Sequence, residues 1–375
     1  MSVELLKNLT GGARVYLVPV GFVYGDEKAC PFAGTGMMIP GFRVIAREGS
    51  DKLCDIRLSY GDVKNALPDL PHEIAGSLST QLQNLQKPRE PLQLKNSDRT
   101  LAYTRPRIMG VLNVTPDSFS DGGKFIDPDA AVRHARQLIA EGADIIDIGG
   151  ESTRPGANPV WEGEEADRVV PVIEALRADG ILLSIDTRHS FVMEKAIQAG
   201  AHIINDVTAL SYDGESLRIA AKSEAPIILM HSQGDPKTMQ DNPSYSDTLL
   251  DVYDYLEERV KVCEEAGIDR SRLILDPGIG FGKRMVQDNL ALINGLPFLH
   301  ALGLPILFGA SRKSFIGAIS GEEDASKRMP GSLAAAMKAV EMGAHIVRVH
   351  DVAETKQALA MVQAFKDAAI LDAMH

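Results

Sequence analysis

Eight short apolar runs, each ending in polar or turn-forming residues, recur between residues 108 and 350. They are IMGVLN (108–113), ADIIDI (143–148), ILLSID (181–186), AHIIND (201–206), APIILMH (225–231), RLILDP (272–277), LPILFG (304–309) and AHIVRVH (344–350). Helical stretches such as DAAVRHARQLIAEG, SFVMEKAIQAG and PGSLAAAMKAVEMG separate several of them, and each closes on the glycine expected just past a helix C-terminus. Strands that are apolar almost throughout, alternating with helices, predict a parallel sheet covered on its outer face. Eight βα units over about 270 residues fit one (β/α)8 TIM barrel. A doubly wound open sheet would usually carry a phosphate-binding glycine pattern after its first strand, and none follows IMGVL.

The N-terminal part is organised differently. Short β-like pieces, RVYLVPVGFVYG, GFRVIAREG and CDIRLSYG, are followed by an amphipathic helix around 72–86 set between prolines. PLQLKNSDRTLAYTRP then reads as a hairpin turning at Asn96–Asp98. The expected organisation is a small α+β extension of unknown role over residues 1–90 and a barrel with its leading hairpin over 91–375. The extension holds no GxxxxGK[ST] stretch, which argues against a P-loop kinase module.

Charge and cysteine usage narrow the partners. Lys plus Arg total 39 against 51 Asp plus Glu, a net charge of −12, which argues against an extended nucleic-acid surface. A small anionic ligand held by a few local cations remains compatible with it. Cys30, Cys54 and Cys263 match no common metal spacing and suit a reducing compartment, with structural roles. The N-terminus lacks the apolar core of a signal peptide, and no run approaches bilayer length. A cytoplasmic protein without membrane or nucleic-acid partners is the expectation.

In a barrel the polar strand ends gather at one mouth, where sites form. Here they are Asn113, Asp147, Asp186, Asn205 with Asp206, His231, Asp276, Ser311 with Lys313, and Arg348 with His350. One buried carboxylate could be a satisfied structural group, but polar residues across the whole mouth ask for a ligand. Asp186, Asn205 and Asp276 suit the N–H edge of a flat heterocycle. Arg154, Lys313, Arg348 and His350 suit a phosphate or carboxylate. No Ser or Cys has a sequence-defined His partner and orienting acid, and no HExxH or clustered His/Cys ligands occur. Magnesium held mainly by substrate phosphates remains compatible. The polar run NVTPDSFSDGG (113–123) is too long for a simple turn and reads as a functional loop.

These segments, with DIGGESTRPG (147–156), SIDT (184–187), NDV (205–207), MHSQGDPKTMQ (230–240), LDPGIGFGK (275–283), GASRKSF (309–315) and RVHDV (348–352), resemble the motif series of the dihydropteroate synthase family. They fall in that family's order across residues 107–352. The resemblance implies an alkyl transferase of folate biosynthesis. It would join 6-hydroxymethyl-7,8-dihydropterin diphosphate to p-aminobenzoate, release diphosphate through a pterin cation, and be a sulfonamide target.

The resemblance casts Asp121, Arg154, Asp186 and Lys313 as catalytic. Asp186, Asn205, Asp276 and Lys313 would hold the pterin, together with Met230. Asn113, Arg348 and His350 correspond to the diphosphate and Mg2+ site, with Asn113 the metal ligand. Thr153 and Arg154 lie on a second loop. Phe119, Pro155, Phe281 and Ser311 match the p-aminobenzoate pocket, and a homodimer is implied. Two other readings stay open here: a pterin- or folate-binding barrel that passes a methyl group to a corrinoid, and a non-catalytic binding homologue. The first-loop, STRPG and SRK segments favour the synthase over the former, and the cations at loops and strand ends favour it over the latter.

Overall fold

A computed structural model describes residues 2–9, 12–115, 127–152, 159–234 and 238–373. They form two units, one of Met1–Arg89 with Asn294–Leu304 and Met361–His375, the other of Glu90–Ile293 with Pro305–Ala360.

In the first unit, β1 (Arg14–Val20) runs antiparallel to β4 (Gly41–Glu48), and β4 to β5 (Asp51–Ser59), with a bulge between Ala46 and Arg47. The two-residue strands β2 (Cys30–Pro31) and β3 (Met38–Ile39) pair separately. The helix read at 72–86 spans His72–Gln86 and buries Ile74, Leu78, Leu82 and Leu85, one face at helical spacing. Its buried Gln81 fastens it to β1. The side-chain oxygen accepts the Leu17 N–H at 2.8 Å and the amide donates to the Val15 carbonyl at 2.8 Å. One side chain thereby satisfies two main-chain groups on an edge strand. All three cysteines are buried and free.

The second unit begins with the expected hairpin. β6 (Leu92–Leu94) pairs with β7 (Arg99–Leu101), so the turn takes residues 95–98. The eight apolar runs follow as parallel strands: β8 (Arg107–Asn113), β9 (Ile145–Gly149), β10 (Leu182–Asp186), β11 (Ile203–Asp206), β12 (Ile227–Met230), β13 (Leu273–Asp276), β14 (Leu307–Phe308) and β15 (Ile346–Val349). Their spatial order is β13-β12-β11-β10-β9-β8-β15-β14. The remaining seam, β13 to β14, is narrow: a single parallel bridge Leu275–Ile306 and the Leu275 N–H donating to the Pro305 carbonyl at 2.9 Å. Pro305 has no N–H to give, which shortens the ladder at this run. The result is a nearly closed eight-stranded barrel.

Local signals set the helices between strands. Asp127 caps Pro128–Glu141 by accepting the Asp129 N–H at 2.9 Å, proline occupies the first turn, and Gly142 ends the helix at φ +113°. Among the described residues no helix is long and apolar enough to cross a membrane.

The barrel floor is one apolar layer. Met109, Ile145, Leu182, Ile203, Ile228, Ile274, Leu307 and Ile346 supply one side chain from each strand, and Leu92, Leu94 and Leu101 of the hairpin join the same buried cluster. The hairpin therefore acts as a plug for the barrel end opposite the polar strand termini. Leu94→Ala should destabilise the protein by about 2–5 kcal/mol, the usual cost of a cavity at a fully buried leucine. Urea unfolding followed by circular dichroism would measure it; a loss under about 0.5 kcal/mol would show that the plug carries little of the barrel's stability.

Candidate active site

The floor layer explains which side chains enter the mouth. Side chains two and four residues beyond a floor residue lie on the same strand face. Stepping from the floor residues gives Asn113, Asp147, Ser184 and Asp186, Asn205, Met230, Asp276, and Arg348. The polar mouth is thus a consequence of period two, given an apolar floor.

Its centre is an ion-pair bridge. The Arg348 guanidinium donates from Nε to Asp147 Oδ2 at 2.6 Å and from a terminal nitrogen to Asp186 Oδ2 at 2.6 Å. Asn205 donates its side-chain amide to the same Asp147 oxygen at 3.0 Å. Burial opposes the charge on Arg348, but Asp147 and Asp186 outweigh it and hold its pKa above the usual arginine value. Asp186 is pushed up to about 7, first by burial, against the pull of Arg348, with Asp147, Glu165 and Asp206 adding repulsion. The second oxygens, Asp147 Oδ1 and Asp186 Oδ1, are buried and accept no hydrogen bond from the described residues. Such oxygens are costly unless a donor reaches them.

A second pair lies across the mouth. Burial raises the pKa of Asp276, which accepts the Gly278 N–H at 2.8 Å and is partly offset by Lys313. Lys313 is lowered to about 8 by burial against Asp276. Its ammonium donates to the Ile279 carbonyl and lies 4.5 Å from the centroid of the Phe281 ring. Ser311 stands beside His350, which donates its backbone N–H to the Ser311 hydroxyl at 3.2 Å, with Nδ1 3.0 Å from the same oxygen. Neighbouring Arg312 is tied to Asp351 and holds a left-handed φ of 60°.

Asp186, Asn205, Met230, Asp276, Phe281, Ser311, Lys313, Arg348 and His350 therefore lie on the mouth strands or the turns that follow them. Asn113 ends β8, half-buried. Phe119, Asp121, Thr153, Arg154 and Pro155 lie outside the described residues. As a hard oxygen donor at the mouth, the Asn113 side chain fits magnesium that takes its other ligands from a phosphate. Glu151, Glu165 and His189 also bring ligand atoms within 4.8 Å of one another. That cluster fits a metal poorly. Arg188 binds Glu151 through two hydrogen bonds, at 2.9 and 3.0 Å, and His189 Nδ1 lies 2.8 Å from Glu165 Oε2. Arg188 already neutralises Glu151, and His189 already occupies one Glu165 oxygen.

The sequence left several buried groups without a role: Asp147 as the anchor of Arg348, the Glu151–Arg188 pair, and Lys283 beside His231. The sequence placed Asp147 at the mouth but did not name Arg348 as its partner, and nothing local marks Lys283 as buried.

An eight-stranded barrel with carboxylates, an amide and cations at its mouth is the architecture of an enzyme that takes a polar planar ligand. The family model "Pterin binding enzyme" matches residues 109–350. Dihydropteroate synthase of Escherichia coli (strain K12) is 48% identical over 266 residues, 71% of this chain and 93% of that protein. The structure of Xanthomonas albilineans dihydropteroate synthase with 4-aminobenzoic acid superposes with TM-score 0.69 at 47% identity, over 74% of this chain and 98% of that one. The same enzyme in complex with 7,8-dihydropteroate gives TM-score 0.67 at 45% identity, over 74% and 99%. The chain belongs to the dihydropteroate synthase family.

The Asp186 shift carries a sign. A carboxyl whose folded pKa lies above its unfolded value of 3.8 binds more protons in the native state between about pH 4 and pH 7. Its contribution to stability is therefore full below pH 4, declines toward pH 7 and is flat above. Asp186→Asn should flatten that part of the stability curve, gaining stability relative to the parent as pH rises from 4 to 8. Guanidinium melts across that range check it; parallel curves would place Asp186 in a more polar setting than its surroundings imply.

Proposed function

We propose that this chain condenses 6-hydroxymethyl-7,8-dihydropterin diphosphate with p-aminobenzoate, giving 7,8-dihydropteroate and diphosphate. The observation that carries the reading is the pairing, in one barrel mouth, of orphaned carboxylate oxygens with nearby cations, in a chain that is 48% identical to a dihydropteroate synthase. Buried acceptors at Asp147 and Asp186 are suited to the N–H edge of a pterin, with Asn205, Asp276 and Met230 completing that pocket. Lys313, poised near neutrality, faces both the ring and the reacting methylene. Arg348 and His350 are read as the anion side, and Phe281 and Ser311 as the wall that receives p-aminobenzoate. Asp121 and Arg154, with Phe119, Thr153 and Pro155, are assigned to the same reaction from the family's motifs alone.

The chemistry needs little covalent help from protein. The bond from the methylene carbon to the diphosphate oxygen breaks, the electron-rich pterin carries the resulting positive charge, and the amine of p-aminobenzoate forms the new C–N bond before losing a proton. Carboxylates at 147, 186 and 276 favour that cation, and the cations at 313 and 348 favour the departing anion. Magnesium, when bound, would neutralise the diphosphate as it leaves. Asn113 would hold it. A homodimer, a cytoplasmic location, and residues 1–90 as an extension outside the catalytic barrel complete the proposal.

Purified protein supplied with both substrates and magnesium should form dihydropteroate and diphosphate, and chelation should abolish the reaction. Absence of both products with magnesium present would favour a binding protein. The metal assignment has its own measurement. Asn113→Ala should weaken calorimetric binding of the pterin diphosphate when magnesium is present, by roughly 1–2 kcal/mol, and leave it unchanged in chelator. An equal loss in both conditions would make Asn113 a direct ligand of the substrate instead.

A further inference from the structure

Lys283 is among the largest fully buried side chains, 1% exposed, and the proposed chemistry does not use it. A buried ammonium is tolerated only if its three donors are met. Here they have three acceptors: the Phe281 carbonyl at 2.8 Å, the Gly278 carbonyl at 3.2 Å and Nδ1 of His231 at 2.8 Å. Two belong to the loop after β13 and the third follows β12, so one nitrogen joins the ends of neighbouring strands. Burial, with repulsion from Lys313, brings the lysine to about 7, opposed by Asp276 and Asp288, and burial, with repulsion from Lys283, pushes His231 well below its ordinary value. A neutral His231 ring can present Nδ1 as an acceptor.

The loop 277–283 is wound tightly around that nitrogen. Gly278, Gly280 and Gly282 hold φ of +68°, +81° and +56°. A Cβ on Gly278 would fall 1.8 Å from the His231 carbonyl oxygen, and one on Gly282 would fall 2.5 Å from that of Gln233. The Gly278 carbonyl also accepts the Phe281 N–H at 3.1 Å, closing a turn. Gln240 donates to the Gly280 carbonyl at 2.6 Å, and the Tyr245 hydroxyl donates to that of Gly282. What the loop presents to the mouth is Phe281, over the Lys313 ammonium, and the Ile279 carbonyl, which accepts from Lys313.

We infer that Lys283 is a positioning residue for the second substrate: its ammonium, braced by His231, fixes the 277–283 loop so that Phe281 and Ile279 hold the aromatic wall and the Lys313 ammonium in register. The inference rests on the reading of the Phe281 side as the p-aminobenzoate pocket. Asp186, Asn205 and Arg348, read as contacts to the pterin diphosphate, come from other strands. Among the described residues only Asp276, which accepts the Gly278 N–H, and Lys313 link the loop to that side, so the pterin diphosphate should be weakened less than p-aminobenzoate.

Three variants test it. Lys283→Met keeps the length but takes this donor from the Phe281 carbonyl and from His231 Nδ1, and leaves the Gly278 carbonyl with the Phe281 N–H alone. His231→Phe keeps a ring against Tyr245 and Tyr255 but removes the acceptor, whereas His231→Asn places an amide oxygen near the Nδ1 position. Lys283→Met should raise KM for p-aminobenzoate roughly tenfold or more, change the calorimetric Kd of the pterin diphosphate less than about threefold, and speed hydrogen exchange at the amides of 279–282. His231→Phe should shift KM and exchange in the same direction, and His231→Asn should shift them less than His231→Phe. Equal weakening of both substrates, a fall in kcat at unchanged KM, or unaltered exchange would overturn the inference. If Lys283→Met does not fold, the His231 pair decides by the same order, and indistinguishable Phe and Asn variants overturn it. A parent protein that makes no dihydropteroate would sink the proposed function, while the exchange measurement would still decide whether Lys283 holds the loop.

Discussion

Everything at the mouth depends on how two buried carboxylates are kept there. Asp147 and Asp186 sit on adjacent strands, and Arg348 reaches both from β15. Removing two carboxylates from water is expensive, and one guanidinium with two directed hydrogen bonds, joined by the Asn205 amide on Asp147, is the compensation the described residues supply. The bridge spans β15, β9 and β10, so it also fixes where those strand ends stand. The compensation is incomplete. One oxygen on each carboxylate is buried without a donor among the described residues, and burial raises the Asp186 pKa to about 7. Buried acceptors arranged this way can be met by the N–H groups of a ligand, and binding energy follows from meeting them.

The cations are tuned by the same burial. Lys313 and Lys283 are both lowered by burial, with repulsion from Arg348 added at Lys313 and repulsion from Lys313 added at Lys283. They differ in what they touch. Lys313 faces the mouth carboxylates and the Phe281 ring, whereas Lys283 spends its donors on its own loop and on His231. One is placed to meet substrate and the other to hold the structure that meets it. Precise sites commonly need such supporting contacts, because a small displacement of a reacting group costs much of its effect.

Much of this could be read from the sequence for a simple reason. Apolar floor residues and polar mouth residues alternate on the same strand face, so runs such as ILLSID and RLILDP contain both the barrel and the site. The helix at 72–86 and the turn at Asn96–Asp98 were equally local signals. Long-range partners were not legible. Arg348 reads in sequence as a cation for phosphate, and nothing near it announces that Asp147, 201 residues away, holds its Nε. Lys283 in GFGK looks like a solvent-facing lysine, because burial is decided by the turn its glycines allow. The segments 294–304 and 361–375 carry no mark that groups them with residues 1–89. The two motif loops at 113–123 and 151–160 are legible as motifs, but most of their residues lie outside the described structure.

The central claim is that the polar face generated by the strand period is the pterin pocket. A crystal structure of the full-length chain with 7,8-dihydropteroate tests it most directly. The pterin ring is expected inside the barrel mouth, its N–H groups within hydrogen-bond distance of Asp186 and Asp276 or Asn205, and its p-aminobenzoyl ring against Phe281. Product bound elsewhere, or a pterin in the mouth that leaves the Asp186 carboxylate without a donor from the ring, would contradict it.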